Sequence, residues 1–407
     1  MIDLEKENRK VRCFLVGEPG NNLNELEGLS QTLGLCTAGK LTLSRLEIKP
    51  AYGMGKGKAE EISKLSKETE SDCIIFDFNL EPTKQRNWEK LSGLPCFDRQ
   101  ELIIKIFAQR ARTKEASLQV ELARLSYSLS RLSHSYGDMA RQRGGTYGSK
   151  GQGETQLELD QRQIRERISQ VKKELEKVAS TRITQRKKRS RNPFVECALV
   201  GYTNAGKSSL MNALTGSSAL VEDKLFATLD PLTRKLELAD GKKILLTDTV
   251  GFISNLPHSL IDAFKSTLSS ATEADILLVV IDCSNPDFEF QYSTVKKVLG
   301  EIASSQKQKI PSTAKNNMFC TAEKNSVFDT QLESEPDSKS PAKKSIIVLN
   351  KYDLCKDDDV RKAQLSLMFP DGVFVSTKTG YGLSELLKKI SLYTTKEHKK
   401  ENPHENV

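Results

Sequence analysis

One eight-residue stretch limits what this chain can fold into more than any other feature of its sequence. Residues 201–208 are GYTNAGKS, which has the form G-x-x-x-x-G-K-[ST] of a phosphate-binding loop, or P-loop. The loop follows an apolar run predicted as a strand (197–200) and precedes a helical pattern of apolar residues (210–214). The motif requires this context, because backbone N–H groups of the loop and of the helix start surround a phosphate. The sequence therefore predicts a nucleotide site in an α/β domain.

Two further motifs follow in order, each after an apolar run predicted as a strand. DTVG occupies residues 248–251, and NKYD occupies residues 350–353. The Asp353 carboxylate can accept hydrogen bonds from the ring N–H and the amino group of guanine, a donor pair that adenine lacks. The three motifs together predict a guanine nucleotide bound with magnesium.

Three side chains are predicted to hold the magnesium ion. The Ser208 hydroxyl would bind it directly, and Asp248 would bind it through water. A second hydroxyl is expected from the switch segment between them, where Thr228 is preferred over Thr233. Lys207 would place its ammonium group between the β- and γ-phosphates.

The residues predicted to contact GTP lie in the three motifs, the switch segment and an SxK-like turn after a strand. They are Gly201, Tyr202, Thr203, Asn204, Ala205, Gly206, Lys207, Ser208, Phe226, Ala227, Thr228, Leu229, Asp230, Asp248, Thr249, Val250, Gly251, Asn350, Lys351, Tyr352, Asp353, Ser376, Thr377 and Lys378.

The residue after the second motif leaves the catalytic group unassigned. Many switch GTPases have a glutamine there, which orients the attacking water. This chain has Phe252, whose apolar ring cannot do so by hydrogen bonding. We therefore expect slow intrinsic hydrolysis, completed by a partner or by another residue.

Charge separates a central segment from the rest of the chain. The whole chain carries +8, yet residues 113–192 hold 18 Lys and Arg against 9 Asp and Glu, a net of +9. Leucines at 118, 122, 125, 129 and 132, and apolar residues at 157, 164, 168, 171, 175 and 178, repeat at heptad-like spacing. The pattern predicts a long helical hairpin, and its positive charge favours a polyanion partner.

The hairpin is predicted to turn in a glycine-rich basic tip. Residues 133–153 contain six glycines, and each costs about 1 kcal/mol in a helix, so we expect no regular helix there. Candidate polyanion contacts at this tip are Arg141, Arg143, Gly144, Gly145 and Lys150. The basic run 182–191 that ends the hairpin is an RNA contact or a solvated linker.

The predicted fold class is α/β with three parts. Residues 1–112 form a small α/β domain with a parallel sheet, 113–192 an antiparallel basic helical hairpin, and 193–393 a P-loop GTPase domain whose doubly wound sheet is mainly parallel. A polar insertion (304–344) and a polar tail (394–407) are predicted to be disordered. The basic glycine turn at 53–58 is a structural turn or a ligand site.

The cysteines and the amino terminus favour the cytoplasm. The eight cysteines are scattered with no C-x-x-C pair, which argues against structural zinc. The first residues, MIDLEKENRK, have no hydrophobic signal core, and no apolar run approaches the roughly 20 residues of a membrane helix. Peripheral membrane contact remains open, and the expected state is a monomer.

Beyond the P-loop, the chain resembles the HflX family of ribosome-associated GTPases, from about residue 20 to 290 and again from 345. The matching segments are YGMGKGK (52–58), IFD (75–77), QRN (85–87), IFAQRA (106–111), LQVELA (118–123), RGG (143–145), GQGETQLE (151–158), FATLDP (226–231), DTVGFI (248–253) and LPH (256–258).

The resemblance implies a GTPase that binds the large ribosomal subunit in its GTP form. The helical hairpin would reach toward the peptidyl-transferase centre, its tip would touch ribosomal RNA, and the protein would split or rescue stalled ribosomes. Some members of this family also hydrolyse ATP through the amino-terminal domain. Because this chain has no complete second nucleotide motif, ATP use is left open.

Two alternatives remain from the residues alone. One is an RNA-binding ribosome-assembly factor in which GTP only times release. The other is a signalling GTPase with a protein partner, in which the hairpin is a docking coil. The glycine-rich basic tip argues against the second, because a docking coil needs no such loop.

Overall fold

The structure is a computed structural model that describes residues 9–45, 51–142, 156–189, 194–217, 224–254, 260, 274–307, 344–355 and 357–401. For residues 133–142, 156–157, 182–189, 303–307 and 395–401 it describes the backbone alone.

The amino-terminal domain is a four-stranded parallel sheet in the order β2-β1-β3-β4, with helices between its strands. Its elements are β1 (Arg12–Gly17), α1 (Asn24–Thr32), β2 (Cys36–Thr42), α2 (Lys56–Glu68), β3 (Cys73–Phe76), α3 (Pro82–Ser92), β4 (Cys96–Asp98) and α4 (Arg99–Arg110). The central strands β1 and β3 are buried apolar runs, as expected for strands covered on both faces. The predicted parallel α/β domain is confirmed.

Two helices form the arm that follows this domain, α5 (Lys114–Gln142) and α6 (Gln156–Arg189). Leu118, Leu122 and Val171 are buried between them. Arg167 Nε lies 2.7 Å from Glu121 Oε1 across the pair. The helices therefore pack along the heptad positions that the sequence indicated. The arm is joined to the amino-terminal domain, since the Tyr127 hydroxyl donates to Asp98 Oδ2 at 3.0 Å.

The first arm helix is longer than predicted. It continues through Gly137 to Gln142, although the sequence predicted a break from Ser133 onward. A single glycine costs only about 1 kcal/mol, and the helix formers Met139, Ala140 and Arg141 follow it. The predicted tip residues Arg143, Gly144, Gly145 and Lys150 lie outside the described residues.

The third domain is a six-stranded sheet in the order β10-β9-β8-β5-β7-β6, parallel except for the pairing of β6 with β7. Its elements are β5 (Val195–Gly201), α7 (Lys207–Thr215), β6 (Leu232–Glu237), β7 (Lys243–Asp248), β8 (Ile276–Asp282), α8 (Phe288–Lys307), β9 (Lys344–Asn350), a single 3-10 turn (Tyr352–Leu354), α9 (Asp359–Met368), β10 (Val373–Phe374) and α10 (Leu383–Glu401). The P-loop motif, DTVG and NKYD begin at the carboxyl ends of β5, β7 and β9, the edge where ligands bind in open α/β sheets.

Two predicted disordered segments begin as helix. Helix α8 extends to Lys307, into the predicted insertion, and residues 308–343 lie outside the described set. Helix α10 extends to Glu401, into the predicted tail, because Lys and Glu near its end favour helix despite their polarity. Among the described residues, every helix is too short or too polar to cross a bilayer.

One apolar core continues from the first domain into the third. It includes Leu26 and Phe107 on one side and Phe226 and Phe252 on the other. The rings of Phe107 and Phe226 meet edge to face with centroids 4.6 Å apart. The amino-terminal domain is therefore packed against the segments that surround the P-loop.

Candidate nucleotide site

The P-loop joins β5 to α7 in a conformation that depends on glycine. Gly206 has φ of 88°, and a Cβ there would overlap Asn350 Nδ2. A Cβ at Gly201 would overlap the Val280 carbonyl. The start of α7 therefore lines an open pocket where no side chain of these glycines obstructs the backbone N–H groups, which suits a phosphate.

Lys207 is buried at the base of this pocket, with 7% of its surface exposed. Its ammonium donates to the carbonyls of Tyr202 at 2.8 Å and Gly201 at 3.2 Å. Burial lowers the pKa of Lys207 to about 8, and nearby Asp248 opposes that shift. The Lys207 side chain is therefore held in place, and nearby negative charge only partly compensates its positive charge.

We expect nucleotide binding to take up a proton as pH rises above 8. A bound phosphate favours the charged ammonium, so it raises the Lys207 pKa from about 8 in the free protein. The affinity for the nucleotide is then at its maximum below that pKa, where Lys207 is charged, and falls above it, by about sixfold from pH 7.0 to 8.8. Titration calorimetry of GDP at pH 8.5, in buffers of different ionisation enthalpy, counts the protons. Binding without proton uptake at that pH would contradict the assignment.

The three predicted magnesium ligands converge on one point. Asp248 Oδ2 accepts from the Ser208 hydroxyl at 2.5 Å and from the Thr228 hydroxyl at 3.0 Å, and the two hydroxyl oxygens are 2.8 Å apart. Asp248 is buried, which raises the pKa of its carboxyl, and Oδ1 has no hydrogen-bond partner. Hard oxygen donors around an unsatisfied carboxylate fit Mg²⁺. Thr233, the other candidate, is not part of this cluster. Its hydroxyl lies 2.9 Å from the Thr247 hydroxyl on an exposed face of the sheet.

The second motif is pressed against the P-loop. A Cβ at Gly251 would lie 2.8 Å from Thr203 Cα and 3.0 Å from Lys207 Nζ, so only glycine fits there. The next residue, Phe252, receives a hydrogen bond from the Thr203 N–H at 2.7 Å and donates its own N–H to the Gly201 carbonyl at 3.1 Å. Its ring is 1% exposed within the core. Backbone groups, rather than the Phe252 side chain, therefore face the phosphate end of the pocket.

The base motif and the turn at 376–378 come together beside the P-loop. Asn350 Nδ2 donates to the Ala205 carbonyl at 2.9 Å, and its Oδ1 is buried without a partner. Asp353 Oδ1 accepts from the Ser376 hydroxyl at 2.6 Å. Lys351 has φ of 62°, and its ammonium lies 2.7 Å from Asp282 Oδ2. The Asp353 carboxylate is thus oriented by a neighbour from the predicted turn.

The switch segment is divided between the pocket and the other domains. Phe226, Ala227 and Thr228 line the pocket. Leu229 is instead buried in the core, and the Asp230 carboxylate accepts from the backbone and hydroxyl of Thr113 at the start of the arm. Leu229 and Asp230, predicted as nucleotide contacts from sequence position, are therefore placed away from the pocket.

Two lining residues were not predicted, Ser209 and Lys224. Ser209 directly follows Ser208, the last residue of the P-loop motif, so its position next to the motif could have predicted it. Lys224 lies two positions before the FATLDP segment, and no motif marks it. The glycine segment 53–58 leads into α2, which begins at Lys56, and Lys58 pairs with Glu61 of that helix at 2.9 Å.

A P-loop at the end of a parallel strand, a hydroxyl–carboxylate cluster beside it and an NKxD turn define a GTP-binding domain of the P-loop GTPase class. Three family models match the chain in succession. They are described as GTP-binding GTPase N-terminal (residues 20–108), GTP-binding GTPase Middle Region (110–189) and 50S ribosome-binding GTPase (196–321).

Two relatives that match most of the chain are both GTPase HflX. GTPase HflX of Caldanaerobacter subterraneus subsp. tengcongensis is 45% identical over 306 residues, 74% of this chain and 71% of that protein. GTPase HflX of Escherichia coli (strain K12) is 37% identical over 370 residues, 91% and 78% of the two. A GTP-binding protein from Sulfolobus solfataricus in complex with GDP is similar in structure, with a TM-score of 0.47 and 23% identity, covering 95% of this chain and 99% of that one. The chain belongs to the GTPase HflX family, and it is accordingly a GTPase that converts GTP to GDP and phosphate.

Proposed function

We propose that this GTPase is Mg²⁺-dependent, binds the large ribosomal subunit and its RNA in the cytoplasm as a monomer, and splits or rescues stalled ribosomes. The observation that carries the proposal is the basic arm anchored to a GTP switch. The arm segment has a net charge of +9, and the Asp230 carboxylate of the switch segment is hydrogen-bonded to Thr113, where the arm begins.

The nucleotide chemistry follows from groups already in place. Lys207 and the N–H groups at the start of α7 would hold the phosphates, and the Gly251 N–H would meet the γ-phosphate. Ser208, Thr228 and Asp248 would hold Mg²⁺, which neutralises charge that develops on the phosphate oxygens. Asp353 would select guanine.

The arm supplies the contact with RNA. RNA binding by basic side chains depends on phosphate charge and on backbone shape, so it weakens steeply with salt. The described part of α6 displays exposed Arg162, Arg165, Lys172, Lys173 and Lys177. The 50S ribosome-binding GTPase model that matches residues 196–321 supports the same partner. This positive charge favours RNA over a protein partner.

We expect purified large ribosomal subunits to stimulate GTP turnover strongly, and high salt to remove the stimulation. The reason is that Phe252 offers no group to orient water, so the free protein hydrolyses slowly. Turnover is measured with and without subunits at two salt concentrations. Arg141→Ala with Arg143→Ala should lose stimulation and keep basal turnover, whereas Lys296→Ala with Lys297→Ala removes equal charge from the exposed face of α8, outside the arm, and should retain it. Equal loss in both variants would place the contact elsewhere.

Light scattering of intact ribosomes separates the main hypotheses. Separation of the subunits on addition of protein and GTP supports splitting. Subunit binding without separation favours an assembly factor in which GTP times release. Tight GTP binding without any response to subunits would overturn the ribosomal proposal and favour a protein partner.

A further inference from the structure

A polar network joins the GTP site to the amino-terminal domain. The Tyr202 hydroxyl, from the P-loop, donates to Glu25 Oε1 at 2.7 Å, and Glu25 is in the first turn of α1. The Ser254 N–H donates to the Tyr202 hydroxyl at 2.7 Å, and the Ser254 hydroxyl donates to Glu25 Oε2. A single carboxylate from the first domain thus contacts both the P-loop and the segment after the second motif.

Arg99 completes the network from the start of α4. Its guanidinium lies 2.7 Å from Glu25 Oε2 and 2.6 Å from Asp77 Oδ1, and it donates to the Ser254 carbonyl at 3.2 Å and hydroxyl at 3.0 Å. The side chain is 7% exposed. Burial alone would lower the pKa of Arg99, but Glu25 and Asp77 raise it, so the guanidinium stays charged. A buried arginine whose two terminal nitrogens reach different carboxylates holds both partners in a defined geometry.

The network lies three residues from Gly251, whose N–H would meet the γ-phosphate. Ser254 follows Phe252, whose backbone bridges Gly201 and Thr203 of the P-loop. Tyr202 is the P-loop residue between those two. The backbone from Gly251 to Ser254 is therefore held at one end by the P-loop and at the other by Arg99 and Glu25. Phe252 has no polar side chain to orient the attacking water. The position of this backbone therefore determines how polar groups are arranged around the γ-phosphate and that water.

We propose that Arg99 and Glu25 are positioning residues for GTP hydrolysis, which hold Gly251 beside the phosphate through Ser254 and Tyr202. The proposal goes beyond the ribosomal function and does not depend on it, since it concerns the GTPase activity of the free chain. A purely structural interface would change stability and nucleotide affinity together. Substitution of a positioning residue lowers the rate of the chemical step and leaves GDP affinity unchanged, because GDP lacks the γ-phosphate that Gly251 would meet.

The test is single-turnover GTP hydrolysis by the full chain, with GDP affinity and melting temperature measured alongside. Ser254→Ala removes one hydroxyl and leaves the pairs of Arg99 with Glu25 and Asp77 intact. Arg99→Lys keeps the charge but loses the fork that reaches two partners at once. Each variant should hydrolyse about tenfold more slowly, with GDP affinity within about twofold of the unaltered protein. The double variant should be no slower than the slower single variant, because both changes break one network.

Matched controls come from the opposite end of the same domain and from a distant helix. Arg12→Lys alters an exposed pair with Glu70 at the amino end of β1, and Ser293→Ala removes an exposed hydroxyl of α8. Both should keep the rate. Rates within twofold for Ser254→Ala and Arg99→Lys would overturn the proposal, as would fully multiplicative losses in the double variant. If Arg99→Lys also lowers the melting temperature and the GDP affinity, the hydrolysis rate of Ser254→Ala decides whether the proposal holds.

Discussion

Lys207→Ala is expected to abolish measurable GTP binding while the protein remains folded. The ammonium is fixed by the Gly201 and Tyr202 carbonyls and is nearly desolvated before any phosphate arrives. Removing one partner of a buried charged pair costs about 3–5 kcal/mol, roughly 100- to 4,000-fold in affinity. Folding should not suffer, because the substitution removes a buried charge whose pKa burial has already lowered to about 8.

Thermal unfolding with and without nucleotide separates these effects. A ligand at 100 times its Kd stabilises a protein by about 2.7 kcal/mol, which is a clear rise in melting temperature. The variant should melt at the unaltered temperature or above and show no rise with GTP. Lys243→Ala is the matched control, since Lys243 is exposed at the amino end of β7, away from the pocket. Normal GTP affinity in Lys207→Ala would overturn the site assignment.

Asp353→Asn is expected to move base preference from guanine toward xanthine. The carboxylate accepts from the Ser376 hydroxyl and, by our assignment, from the two guanine donors. An asparagine amide places an N–H opposite one of those donors and suits the oxygen that xanthine has at that position. Sites built for such donor pairs discriminate by about 10⁴, so we expect the ratio of GTP to XTP affinity to fall at least about 100-fold.

Competition between labelled GDP and unlabelled GTP or XTP measures the ratio. Asp357→Asn makes the same chemical change at an exposed position four residues along the chain and should leave the preference unchanged. A discrimination against XTP that survived in Asp353→Asn would show that another group selects the base. Equal loss of both nucleotides would instead indicate collapse of the turn that Ser376 supports.

Several elements could be predicted because their signals are local. Parallel strands such as β3 and β8 are continuous apolar runs. The nucleotide motifs follow the carboxyl ends of β5, β7 and β9. The heptad seam at Leu118, Leu122 and Val171 followed from spacing alone. The edge strand β2, CTAGKLT, has no such run, because small and polar residues interrupt it and it is partly exposed, so no apolar pattern marks it. The length of α5 was underestimated because six glycines in residues 133–153 were taken to exclude a helix from Ser133 onward, whereas only Gly137 of them lies within α5.

The sequence by itself determined the P-loop, the guanine motif and the hydroxyl–carboxylate set around Asp248, since each depends on a few residues at fixed spacing beside a strand. Only the tertiary structure decided what the first domain does at that site. Glu25 and Arg99 reach Ser254 across 229 and 155 positions of chain. Asp230 is hydrogen-bonded to Thr113 at the start of the arm and does not line the pocket at the P-loop. Contacts at such separations leave no periodicity or spacing in the sequence, because they arise from how two domains pack, and that packing is set by the shared core of Phe107 and Phe226.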